Sequence, residues 1–145
     1  MRRAAVLALA ALGALQLTGC EQYLFQQSDR VQIVSPQNYS TVREPLTIRW
    51  QTQNFTAPRD GSFALFIDRD PMPQGEGIDY FAPQNRDGIH VLTSTALHVD
   101  LLSQQVGVDP AEQNHHDVTV VLLDTAGHRI GEYAGFTEFT VMRGP

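Results

Sequence analysis

Phe63-Ala64-Leu65-Phe66-Ile67 is an unbroken apolar stretch of β-prone residues, and Val118-Thr119-Val120-Val121-Leu122-Leu123 repeats the pattern late in the chain. Each is too short for a helix of useful length, and each is bounded by turn chemistry. Such runs suit central strands covered on both faces. Asp68-Arg69-Asp70-Pro71 ends the first, and Asp124-Thr125-Ala126-Gly127 ends the second as a hairpin turn in which Gly127 can take positive φ.

Around these two runs the grammar is period two. Leu46, Ile48 and Trp50 alternate with Thr47, Arg49 and Gln51, so that strand buries one face and wets the other. Trp50, the sole tryptophan, is the candidate centre of the core. Val31–Val34 reads as a short first strand, followed by a turn over Ser35–Tyr39. Ile89–Thr93 and Ala96–Leu102 read as two more strands, with Leu97, Val99 and Leu101 facing one way and His98 and Asp100 the other. Ile130–Tyr133, a bulge at Gly135 and Phe139–Val141 complete the pattern. Two stretches lack periodicity. One runs over residues 69–88, with Pro71, Pro73, Gly75, Gly77 and Pro83. The other is Gln104–Asn114, where Asp109-Pro110 suits the start of a single helical turn. Loops as long as the first are uncommon in a compact domain and are often functional.

The expected fold is therefore all-β: an antiparallel two-sheet sandwich of about seven strands over residues 31–142, with residues 143–145 as a tail. Phe63 to Arg69 followed by a Pro/Gly loop, and a late hairpin over Val118–Arg129 before Glu138-Phe139-Thr140-Val141, resemble bacterial immunoglobulin-like and fibronectin-type-III-like domains. The resemblance is one of style over residues 31–142 and carries no catalytic motif. The pair of core cysteines of an antibody domain is absent.

The N-terminus reads differently. Arg2 and Arg3 precede an apolar run over Ala4–Leu15, which is shorter than the about 20 residues that cross a hydrocarbon core. It ends in Leu17-Thr18-Gly19-Cys20, which is similar to the lipobox of bacterial lipoproteins. The resemblance implies removal of residues 1–19 and attachment of diacylglycerol and fatty acyl chains to Cys20. Two chains on one residue meet the requirement for stable anchoring, which a single chain does not. The flanks of Arg2-Arg3 do not match a twin-arginine signal. Residues 20–30 are then anchor and tether; Glu21–Asp29, fully extended, reach about 30 Å. Within them Tyr23-Leu24-Phe25 suits either the lipid interface or an extra edge on the domain. The expected location is the extracytoplasmic face of a bacterial membrane or envelope.

Charge and cysteine count exclude several functions. Two of the ten arginines lie in the leader, so the remainder carries eight against sixteen carboxylates, a formal −8, with no lysine. That balance repels nucleic acid and anionic headgroups. Cys20 is the only cysteine, so a lipidated chain has no disulfide, thiolate nucleophile or cysteine metal ligand.

Candidate sites are few. Asp68, Asp70, Glu76 and Asp79 form an oxygen-rich stretch of the kind that binds Ca²⁺, though without EF-hand spacing. His115-His116-Asp117, with His90 and His98, is the candidate for a transition metal or acid–base chemistry. Neighbours on a strand face opposite ways, which opposes a shared ion at His115 and His116. The chain lacks HExxH, a His-x-Met pair and a G-x-S-x-G elbow. Asn38-Tyr39-Ser40 and Asn54-Phe55-Thr56 match the glycosylation sequon and read here as turns. No catalytic set is expected and no cofactor beyond the acyl anchor. The expected function is a non-catalytic domain that binds another envelope protein or a glycan. The alternatives are a ligand or metal-ion sensor using residues 69–88 or the His115/His116 region, and a small hydrolase should two carboxylates converge in a deep pocket.

Overall fold

A computed structural model describes residues 26–27 and 29–143. The expected signal peptide, Cys20, Tyr23-Leu24-Phe25 and the end of the tail lie outside the described residues. The elements are β1 (Gln26–Gln27), β2 (Val31–Ser35), β3 (Ser40–Val42), β4 (Leu46–Thr52), β5 (Ser62–Ile67), β6 (Ile89–Leu92), β7 (Ala96–Val99), β8 (His115–Leu123) and β9 (Arg129–Val141), with short 3₁₀ turns at Ile78–Tyr80 and Pro83–Asn85.

The strands form two packed sheets. One runs β1-β9-β8-β5-β6, with β3 also on β9; the other runs β2-β4-β7. This division of strands is that of immunoglobulin-like and fibronectin-type-III-like sandwiches. The expected antiparallel pairing holds except at β9, where β1 and β3 both pair in parallel. Part of the expected tether, Gln26–Gln27, is thus a strand lying against Tyr133–Ala134. These two short segments raise the strand count above seven.

The main core fills the space between the sheets. Ile48 and Trp50 of β4 meet Phe63, Leu65 and Ile67 of β5 and Val118, Val120 and Leu122 of β8. Trp50 is 3% exposed and meets Phe63 edge-on at 5.5 Å between ring centroids. The opposite face of β5 and β8 is also covered. Ala64, Phe66, Val121 and Leu123 pack beneath Met72, with Ile78, Phe81 and Ile89 alongside. The loop after β5 is therefore a strap that buries the outer face of the larger sheet. This is why β5 and β8 carry apolar residues on both faces.

The strap is bonded down through Arg129, itself 3% exposed. Its guanidinium donates to Met72 O (2.6 Å) and Glu132 O (3.1 Å), and its backbone exchanges bonds with Gly75 and Glu76. Burial holds the Arg129 pKa below the ordinary arginine value, opposed by Glu132.

Three expectations need correction. The strand expected over Ala96–Leu102 leaves its ladder at Val99, because its partner β4 begins at Leu46, directly after Pro45. A shift of phase follows. Leu101 is 68% exposed and Leu102, not Leu101, enters the core at 5%. Leu102 is held there by its N–H to Glu44 Oε1 and its carbonyl to Arg143.

The bulge expected at Gly135 lies elsewhere. Gly135 pairs regularly with Val120, and the register slips where Val121↔Ala134 gives way to Leu123↔Arg129. Gly135 instead lets β2 approach: a Cβ there would stand 3.0 Å from Val31 O. Finally, Asp109–Asn114 does not form a helical turn of its own. Glu112 N–H bonds Asp109 O and His115 N–H bonds Glu112 O, two turns in succession that deliver the chain into β8.

Candidate functional site

The expected site residues are distributed over three environments. In the strap, Asp70, Glu76 and Asp79 are all exposed and spread along the chain, while Asp68 is drawn away toward β8. Among the described residues, no three His, Cys, Asp or Glu side chains are grouped as a metal ion would need.

His115 and His116 both lie within β8, which begins three residues earlier than the apolar run. They face opposite ways. His115 Nε2 stands 3.3 Å from Glu138 Oε2 on the outer face. His116 shares the inner face with Val118 and Val120; it is 0% exposed, and its ring lies 6.1 Å from that of Phe139.

Asp68 closes this end of the sandwich. It follows β5 with φ of 55°, a left-handed conformation that aspartate tolerates because its short carboxylate bonds locally. One carboxylate oxygen pairs with His116 Nδ1 at 2.7 Å. The other accepts from Asp117 N–H and Gln105 Nε2, each at 3.1 Å. Asp68 N–H in turn donates to Asp117 O.

Asp117 lies directly opposite Glu138 across the β8–β9 ladder. Burial, followed by the charges of Asp68 and Asp70, pushes its pKa up to about 6; Glu138 adds to this and His115 opposes it.

The third environment is a cleft of about 570 Å³ on the side where β6 and β7 are the outer strands. Ile67, Val99 and Leu102 give it an apolar floor, and Asp68, Asp87, His90, His98, Asp100 and Ser103 line it with polar groups. Gly88 forms part of the wall with φ of 75°; a Cβ there would stand 2.7 Å from Ile67 O. His98 Nδ1 lies 3.2 Å from Thr47 Oγ1, and its Nε2 lies 3.2 Å from Asp100 Oδ1.

Among the described residues, neither strand flanking the cleft is paired along its outer edge. Trp50 N–H bonds Thr95 O, so ladder alternation turns the backbone groups of His98 away from β4. Ile67 N–H bonds Gly88 O, which turns those of Val91 away from β5. Sequence reasoning named His90 and His98 but grouped them with His115 and His116. It missed Asp87, Asp100 and Ser103 as a set, because they come from two sheets and share no spacing.

The fold and this site define a two-sheet sandwich with an open side. Among solved structures, the chain is similar to the fibronectin(III)-like modules of CbhA from Clostridium thermocellum, at 10% identity and a TM-score of 0.41, over 78% of this chain and 99% of that one. A likeness that distant carries no functional argument. No protein-family model matches the chain, and no curated protein is similar to it.

Proposed function

We propose that this protein is a lipid-anchored envelope module that works by binding another envelope protein or a glycan rather than by catalysis. Cys20 holds it to the extracytoplasmic face of the membrane through its acyl chains. One observation carries the reading. The histidine–aspartate pair with the shortest contact, His116 and Asp68, is spent inside the fold, with the His116 ring wholly buried. The edges of β6 and β7 left unpaired among the described residues, and the cleft between them, face outward instead. Addition of an extended partner segment to such an edge supplies affinity through backbone bonds. The dispersed acids of the strap do not favour the metal-sensor alternative. Cross-linking in whole envelopes followed by capture of this chain tests the proposal. Recovery of a defined partner above a mock control is expected, and its absence in both protein and glycan fractions overturns the reading.

A further inference from the structure

The cleft between β6 and β7 has a chemistry that narrows its partner. Its floor is aliphatic, from Ile67, Val99 and Leu102, and its rim carries carboxylates from both sides. Asp87 precedes β6 of the larger sheet, and Asp100 follows β7 of the smaller one. Both are exposed. Asp68 is committed to His116, Asp117 and Gln105, so the rim carboxylates open to a ligand are Asp87 and Asp100, the latter with Oδ1 3.2 Å from His98 Nε2 and its side chain 92% exposed.

No arginine is among the described residues that line the cleft. Two arginines adjoin lining residues in sequence: Arg86 donates through Nε to Phe81 O at 3.1 Å, and Arg69 donates to the carbonyls of Asn85 and Asp87 and stacks over Phe81 at 4.5 Å. Their guanidinium groups are therefore turned to backbone and ring. An aliphatic floor beneath an anionic rim matches one kind of side chain, a long apolar stem with a cationic head. The backbone groups of His98, which lines the cleft and turns them away from β4, favour an extended main chain over a compact ligand.

Resting on the reading of the domain as an interaction module, we infer that this cleft receives an extended segment of a partner protein and takes up a lysine or arginine from it. The stem lies over Val99 and Leu102, and the charged head lies between Asp87 and Asp100. The acidic chain as a whole adds steering toward a cationic partner.

The test uses the full lipidated chain in detergent and a fluorescein-labelled peptide of alternating lysine and valine, with a glutamate–valine peptide as control. Anisotropy is expected to show binding of the lysine peptide alone, weakening as salt rises. The double variant Asp87→Asn/Asp100→Asn is expected to weaken it about tenfold or more. Glu76→Gln/Asp79→Asn removes the same charge from the strap and is expected to leave it within about twofold, the residual effect of net charge. Equal weakening by the two double variants, or no binding of the lysine peptide, overturns the assignment. Failure here is separable from failure of the broader reading. A cross-linked partner recovered equally by wild type and Asp87→Asn/Asp100→Asn keeps the module and removes the cleft.

Discussion

His116 Nδ1 and Asp68 Oδ2 stand 2.7 Å apart, joining a ring inside the core to a left-handed residue that ends β5. The contact ties the ends of the two central strands together. It also gives the Nδ1 of a wholly buried imidazole its hydrogen-bond partner. Removing the carboxylate leaves both the His116 ring and Asp117 N–H without their partner. Asp68→Ala is therefore expected to destabilise the domain by about 2–3 kcal/mol. Asp68→Asn keeps the left-handed propensity and an acceptor, and should cost less. Urea denaturation of the three proteins checks the order.

Asp117 predicts a pH dependence of stability. Its folded pKa of about 6 lies above its unfolded value of about 3.9, so the folded state favours the protonated form. The penalty is full above the folded pKa and disappears as pH falls toward the unfolded one. Through this group the domain gains stability between about pH 7 and pH 4. Asp117→Asn should raise stability at pH 8 by about 1–2 kcal/mol, a range reduced for the partial exposure of the site. It should also flatten this part of the profile. Melting curves across that range decide the matter, and an unchanged slope counts against the assignment.

Trp50 fills the middle of the sandwich, packed edge-on against Phe63. Trp50→Ala should cost about 3–5 kcal/mol, because surrounding strands held in two ladders cannot collapse into the void. A near-normal melt would show that the indole does not support the core.

Gly88→Ala tests the wall of the cleft. The added methyl meets Ile67 O at 2.7 Å in a left-handed conformation that alanine resists. Destabilisation of about 1–3 kcal/mol is expected. Gly127→Ala, with positive φ but open space around it, should cost less. Thermal melts of the pair separate the steric contribution from the backbone one.

Cys20→Ser tests the anchor. The variant should incorporate no labelled palmitate and should leave the membrane fraction or retain its leader. Label persisting on the variant would show that the lipid is attached elsewhere or not as described.

The residues of β4, β5 and β8 were readable because strand periodicity and burial are local properties. Leu46, Ile48 and Trp50 alternate, and Phe63–Ile67 does not, for reasons visible within each stretch. The strap was legible as a long aperiodic loop but not as a cover. Met72 and Phe81 gave no signal that they would seal the second face, since that role depends on where β5 and β8 lie.

Residues 31–142 contained enough alternation and turn chemistry to specify a two-sheet β-sandwich, the placement of Trp50 in its core, and a hairpin at Asp124–Gly127. Those outcomes follow from which face of each strand is apolar. Tertiary structure alone decided the parallel seating of β1 and β3 on β9, the exchange of Leu101 for Leu102, and the meeting of Asp68 with His116 across 48 positions. It also placed Asp87 and Asp100 on one rim from two different sheets. Such relations depend on how the sheets stack and where each ladder stops, and a strand's own pattern of residues contains no record of either.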